Sequence, residues 1–224
     1  MKQVLRENWE FVRQFRQRFH TTGAVLPSSR YLARAMTRPL SERSSPKRVL
    51  EVGPGTGAVT KYIVEQIGPE DRFDLVEIND RFAELLRHRF QHDPRYQPVA
   101  ERAEIHVCPL QDFRSDAPYD TIISGLPFNN FSAHLVGELV DACFDLLAPG
   151  GTFSFFEYMY IRPLKCAVLR GPEQQRLQEI EQLLRDRFRL YRFKRDWVFV
   201  NVPPAWVQHL QREPLATYSA RGID

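Results

Sequence analysis

Three glycines at alternate positions, Gly53, Gly55 and Gly57, sit in the string VLEVGPGTGAVT at 49–60. An apolar run leads into them and a mixed run follows, the pattern of a strand that turns into a helix. Glycine lets backbone approach a ligand closely and permits a turn that a side chain blocks. Twenty residues beyond Gly57, the apolar string DLVEIN carries Glu77. An acid at the tip of a second strand accepts hydrogen bonds from both hydroxyls of a ribose. The combination predicts a site for an adenosine-type ligand. A dinucleotide site would present GxGxxG and rest a diphosphate on the helix N-terminus. Here the string is EVGPGTG. A carboxylate at Glu51 repels a diphosphate and suits a cationic sulfonium or amine.

A second group of candidate residues is SGLPFNNF at 124–131, which leaves the apolar run YDTIIS. It places Pro127, the amides of Asn129 and Asn130, and the rings of Phe128 and Phe131 in one loop. Such a loop can hold a nucleobase, a small amine, a lipid head group, or nothing. The six histidines form no HExxH or similar pair, so no metal site is expected. The three cysteines (Cys108, Cys143, Cys166) form no CxxC and read as small buried hydrophobes in a reducing compartment.

These residues need strands and helices to position them. From residue 48 the chain alternates the two. RVLEVG, RFDLVEI, AEIHVC, YDTIISG and TFSFFEY read as strands. GAVTKYIVEQI, DRFAELLRHRF, AHLVGELVDACFDLL and EQQRLQEIEQLLRDRF read as helices, with APGG as a turn. The pattern predicts an α/β fold with a mostly parallel sheet covered on both faces. Two further strands, near 189–194 and 197–202, are expected to form an antiparallel hairpin around KRD. Upstream, residues 3–20 show a helical apolar arc containing Trp9, Phe11, Phe15 and Phe19. PSS at 27–29 reads as a helix start, with Ser28 or Ser29 as N-cap before RYLARAMTR, and PLSERSSP as a polar linker. The expected organisation is 1–47 as N-terminal helices, 48–212 as the α/β domain and 213–224 as a frayed tail.

The 224 residues are 43% hydrophobic and 26% charged, a globular composition. No apolar run approaches the roughly 20 residues that span a bilayer, and no secretory signal is evident. Residues 1–48 hold 11 Lys and Arg against 3 Asp and Glu, a net of +8, which leaves −5 for the rest. A basic N-terminal segment on an acidic body favours an anionic partner. The helix expected at 3–20 suits a membrane interface, with its rings in the acyl boundary and its Arg and Lys at anionic lipids. Packing on the domain, or phosphate contacts to nucleic acid, are the alternatives.

The glycine string resembles motif I of class I S-adenosylmethionine-dependent methyltransferases over about residues 48–202. The resemblance implies a Rossmann-like seven-stranded sheet of order 3-2-1-4-5-7-6 with strand 7 antiparallel. It implies S-adenosylmethionine as cofactor, with S-adenosylhomocysteine as product. By that likeness Glu51, Gly53, Gly55, Thr56 and Gly57 surround the methionine part, Glu77 binds the ribose, and Ile78 packs on the adenine. The string CPLQDF borders the adenine; Cys108 and Pro109 stand where many relatives have Gly-Asp, so Asp112 or the backbone near Leu110 takes the adenine amine. Adenine-directed relatives carry Asn/Asp-Pro-Pro-Tyr or Asn-Leu-Pro-Tyr after strand 4. Here the string is GLPF, with Gly125 in place of the amide, which argues against ribosomal adenine dimethylation.

GAVLPSSRYLARAM, VLEVGPGTGAVT, LVEIN, SGLPF and LLAPGGTF together resemble the bacterial phospholipid N-methyltransferases. That likeness implies methylation of phosphatidylethanolamine, or of ornithine lipid, by an enzyme of the cytoplasm peripheral on the inner leaflet. It makes residues 1–47 membrane-binding and substrate-lid helices and implies no nucleic acid. Ser124, Gly125 and Leu126 then line the methyl donor; Ser28, Ser29, Arg30, Pro127, Phe128 and Asn129 face the substrate, with Phe131 as a further wall. An ammonium must lose a proton before it attacks. Tyr31 and Tyr158 are the favoured proton-handling residues among Tyr31, Tyr158, Tyr160, Glu157 and His134. Arg30 and Arg34 suit a phosphate or an ornithine carboxylate.

Overall fold

The computed structural model describes residues 29–44, 46–159 and 171–213. The helix expected at 3–20, Ser28, Tyr160, Cys166 and all but the first residue of the expected tail lie outside them. The described elements are α1 (Arg30–Ser41), β1 (Arg48–Val52), α2 (Thr60–Ile63), β2 (Arg72–Val76), α3 (Asp80–His92), β3 (Ala103–His106), β4 (Tyr119–Ser124), α4 (Ala133–Leu146), β5 (Leu147–Tyr158), α5 (Pro172–Tyr191), β6 (Arg192–Val198) and β7 (Ala205–Gln211). The strands form one sheet of order β3-β2-β1-β4-β5-β7-β6. The first five pair in parallel, and β7 runs antiparallel to both β5 and β6. Order and direction are those that the methyltransferase resemblance implies.

Burial on both faces explains why the central strands read as continuous apolar runs. On one face, Leu32 and Met36 of α1, Ile63 of α2 and Leu86 of α3 pack against Val49, Phe73, Leu75 and Phe156. On the other, Leu139 and Val140 of α4 and Ile180 and Leu184 of α5 pack against Leu50, Ile122, Phe153 and Phe155. The helix starts follow capping chemistry. Ser29, Asn79 and Ser132 each accept backbone N–H groups through their side chains, and such caps contribute about 1 kcal/mol apiece.

Four local expectations need correction. The last hairpin does not turn at KRD. Helix α5 continues to Tyr191, KRD lies within β6, and the turn is at 199–204. The reason is the NVPP string, because proline cannot donate to a strand ladder. APGG is not a turn; it lies inside β5, where Gly150 (φ 75°) accompanies a register shift against β4. The polar linker begins later than PLSERSSP, since α1 runs through Pro39 and buries Leu40. Helix α2 spans four residues, followed by a 3-10 turn at Val64–Gln66.

Helix α1 crosses the sheet from its carboxyl edge to its amino edge. At its start, Ser29 N–H donates to Asn201 Oδ1 at 3.2 Å, in the β6–β7 turn. In its last turn, Arg38 reaches Asp196 of β6 at 2.8 Å. Beyond its end, the Arg43 guanidinium bonds the Gly150 carbonyl. Asp196 also faces Nε2 of the buried His209 at 3.2 Å, whose Nδ1 meets the Ser154 hydroxyl at 2.8 Å. Burial lowers the His209 imidazole against the pull of Asp196, so a neutral ring joins these strands to α1.

At the amino edge, Lys47 Nζ lies 2.6 Å from Asp71 Oδ2, and both side chains are buried. Asp71 also accepts from the N–H groups of Lys47 and Gly68 at 2.9 and 2.7 Å. This clamp sets the start of β1 against β2. Asp71→Ala leaves a buried ammonium without that counter-charge, and chemical denaturation is expected to show a loss of about 3 kcal/mol. A loss below about 1 kcal/mol would remove the clamp from the account.

Candidate functional site

The glycine turn lies where the carboxyl ends of three strands meet. Gly53, Gly55 and Gly57 have φ values of 68°, 57° and 74°, in the left-handed region that favours glycine. Gly53 N–H donates to the Val76 carbonyl of β2, and Gly125 N–H to the Val52 carbonyl of β1, each at 2.9 Å. Glu77 is fully buried. Its Oε2 accepts from Gly55 N–H at 2.9 Å and its Oε1 from Asn79 N–H at 3.0 Å. A carboxylate accepts from several donors at once, and both Glu77 oxygens hold the turn.

Gly57 answers a different need. A β-carbon there would lie 2.7 Å from Arg89 Nη1, 3.1 Å from Leu86 Cδ2 and 3.4 Å from the Tyr96 hydroxyl. Its smallness lets α3 close on the turn, the packing role of a third glycine in such motifs. Arg89 Nη1 also donates to the Thr56 carbonyl at 2.5 Å. Glu51 is buried in β1. Burial raises the Tyr96 phenol; Arg89 opposes that shift and Glu51 adds to it. Arg89 and the neutral Tyr96 thus make a floor under Gly57, with the Glu51 carboxylate near enough to act on the Tyr96 phenol.

Gly125 is fixed by backbone. A β-carbon on it would stand 2.7 Å from the Gly53 carbonyl oxygen. The absence of an amide here is therefore a packing requirement of the β1 and β4 ends, not merely a loss of a base-gripping group. Ser124 is buried, and its hydroxyl accepts from Leu126 N–H at 3.2 Å. Leu110 and Leu126 are buried in the core, where Ile78 packs half-exposed. Asp112 is exposed, in the turn after β3.

The structure corrects the two phenylalanines expected as walls. Phe128 and Phe131 are buried, and the Phe128 ring meets Phe155 edge-on at 5.1 Å. Their apolar area is used by the core, which leaves Pro127 and Asn129 half-exposed above them. The loop is held from below by Arg176 of α5, which donates to the Phe131 carbonyl and, at 3.1 Å, to the Asn129 carbonyl. Nothing in the sequence marked Arg176, because its partners are backbone atoms of a distant loop. Asn201 was also missed. The NVPP turn was its signal.

The mouth takes shape from α1 and β5. Ser29 is the N-cap. Arg30 Nη2 donates to the Tyr31 hydroxyl at 2.8 Å, and Arg34 lies over the Tyr62 ring, 5.9 Å from its centre. Tyr158, at the carboxyl end of β5, is half-buried, and burial raises its phenol. Glu157 accepts from Gln208 at 2.9 Å, and His134 is exposed on α4 beside Glu138. Elsewhere, Asp74, Glu104 and His106 bring ligand-type atoms within 4.8 Å, a grouping that no sequence motif signalled. Both Asp74 oxygens are engaged, by His106 and by the Tyr119 hydroxyl at 2.8 Å each, with Arg48 at 3.8 Å supplying positive charge.

A buried acid holding a positive-φ glycine turn, with a carboxylate beneath it, fits an adenosyl group bearing a cationic methionine. Residues 50–153 match a family described as a methyltransferase domain. The ornithine lipid N-methyltransferase of Singulisphaera acidiphila is 31% identical over 144 residues, covering 64% of this chain and 74% of that protein. The chain belongs to the class I S-adenosylmethionine-dependent methyltransferases. The cofactor of this methyltransferase is accordingly S-adenosylmethionine. The ribosomal RNA small subunit methyltransferase A of Geobacter sulfurreducens is 34% identical over 98 residues, 43% of this chain and 33% of that protein. Among solved structures, the O-methyltransferase TomG from Streptomyces achromogenes, in complex with S-adenosylmethionine, superposes with a TM-score of 0.61 at 16% identity, over 92% of this chain and 90% of that one. The N-methyltransferase NodS from Bradyrhizobium japonicum gives 0.57 at 15% identity, over 81% and 94%. At those identities the likeness shows the fold.

Gly125→Ala forces a methyl group against the Gly53 carbonyl. We expect S-adenosylmethionine binding by calorimetry to weaken about tenfold, and stability to fall by about 1–3 kcal/mol. Unchanged affinity would separate the strand-end packing from the cofactor site.

Proposed function

We propose that this methyltransferase acts on the amine of a membrane lipid, ornithine lipid or phosphatidylethanolamine and its methylated derivatives. The observation that carries the reading is the likeness to the S. acidiphila enzyme over most of that protein's length. Gly125 supports it against a nucleic-acid base, because the backbone leaves no space there for an amide side chain. No described helix is long and apolar enough to cross a membrane, which is compatible with a peripheral enzyme on the inner leaflet. The basic aromatic segment at 1–20 would anchor it.

When bound, S-adenosylmethionine supplies a methyl electrophile on a sulfonium. The chain's own task is positioning and exclusion of water. Glu77 orients the ribose, and Glu51 places negative charge near the cationic end. Ser124 to Pro127 bring backbone against the reacting atoms, and Asn129 faces the amine or the phosphate. Arg30 and Arg34 meet the lipid phosphate or an ornithine carboxylate. The ammonium loses its proton to water or a side chain. Burial raises the Tyr158 phenol; its oxygen accepts the ammonium proton as its own hydroxyl proton passes to water, and the ring stays neutral. Tyr31, already bonded to Arg30, orients the head group.

The test is expression in a host whose membranes hold both lipids, with labelled methyl donor, followed by separation of lipids and RNA. Label in methylated ornithine lipid or methylated phosphatidylethanolamine supports the reading and names the head group. Label confined to RNA contradicts it. Tyr158→Phe should lower kcat about tenfold or more while leaving S-adenosylmethionine affinity unchanged; an unaltered kcat removes Tyr158 from proton handling.

A further inference from the structure

The turn that joins β6 to β7 projects beyond the carboxyl edge of the sheet, the same edge as the glycine turn. Tyr158 of β5 pairs with Ala205 of β7, and Met159 N–H donates to the Pro204 carbonyl at 2.7 Å. The projection is apolar. Phe199, Val200 and Val202 are 64%, 67% and 69% exposed, and Trp197 is 48% exposed. Residues 197–206, WVFVNVPPAW, hold no charged side chain in a chain that is 26% charged. A contiguous exposed group of this kind marks an interaction surface.

The projection is also cross-braced by its rings, and it is amphipathic. Trp197 pairs across the strands with Trp206, the two rings edge-on at 5.7 Å, and Trp197 stacks on Phe199 at 5.7 Å. The Arg195 guanidinium covers both indoles at 5.1 and 5.4 Å. Tryptophan beside arginine, with Phe199, Val200 and Val202 further out, suits the boundary between head groups and acyl chains. Asn201, at the apex, is buried and holds the start of α1 through Ser29 N–H. Exposed Arg30 and Arg34 therefore stand beside the apolar tip. The neighbouring acid, Asp196, is already paired with Arg38. Apolar tip and basic flank complement an anionic bilayer.

We propose that the 197–206 hairpin inserts into the interfacial layer of an anionic membrane and turns the carboxyl edge of the sheet toward the lipid. The inference rests on the lipid-methylating reading above and gives it an orientation: the amine enters the site from the bilayer surface, beside α1. The hairpin then acts as a second membrane contact, independent of residues 1–20.

The full chain holds three tryptophans, Trp9, Trp197 and Trp206, so Trp9→Phe confines emission to the hairpin. This chain is mixed with vesicles of phosphatidylethanolamine and phosphatidylglycerol, with or without bromine on the acyl chains, and lipid methylation is followed in parallel. We expect a blue shift and quenching by the brominated chains. Phe199→Ser with Val202→Ser, both exposed, should weaken vesicle affinity about tenfold while melting temperature and S-adenosylmethionine affinity hold. Sedimentation with vesicles and lipid methylation without quenching, and with normal affinity in the double variant, overturn the hairpin contact and leave the lipid reading standing. A blue shift that grows with protein concentration in the absence of vesicles assigns the tip to a second copy and overturns it. Quenching without lipid methylation upholds the contact and removes the lipid substrate.

Discussion

The Gly53 carbonyl oxygen comes within 2.7 Å of where a β-carbon on Gly125 would stand, and the site depends on that closeness. It draws the carboxyl ends of β1 and β4 together at the same level as Glu77, which ties the tip of β2 to the turn through Gly55. A parallel sheet opens its crevice at such a point. Here the crevice is walled by backbone on two sides and by a buried carboxylate on the third. The same closeness removes the side chain that would grip a planar base. One packing constraint thus shapes the crevice at the strand ends and, in the reading proposed above, narrows the acceptor.

The mouth is set by a second, longer-range device. Helix α1 lies across the sheet, bonded at its start to the β6–β7 turn and in its last turn to Asp196, which His209 links to Ser154. Arg30 and Tyr31 are therefore held relative to the strand ends by polar contacts with β6 and its turn. Leu32, Met36 and Leu40 add an apolar face to the core. A head group meeting Arg30 meets a residue whose helix is part of the same packed body as the glycine turn.

Much of this was legible in the sequence where a physical requirement acts over a short stretch. The glycine turn, Glu77 and a mostly parallel sheet follow from turn chemistry and from apolar runs alternating with helices, while the order of the strands came with the resemblance to the methyltransferases. The departure at Gly125 was also visible, although its cause was not, since Gly53 is far away in sequence. What failed was register. KRD looked like a turn because it is polar, whereas the prolines at 203 and 204 decided where β6 and β7 part. Phe128 and Phe131 were expected as ligand walls by family likeness; the core had space for both rings. Arg176, Asn201 and Arg89 act on remote backbone atoms, and side chains of that kind leave no local pattern.

The central claim is that the turn held by Glu77 is the seat of S-adenosylmethionine. Calorimetric titration of the ligand into the native chain and into Glu77→Ala tests it most directly, with circular dichroism to verify the fold. One site per chain in the native protein, and an affinity at least about a hundredfold weaker in the variant, is the result this account predicts. Equal affinities in the two proteins would contradict it.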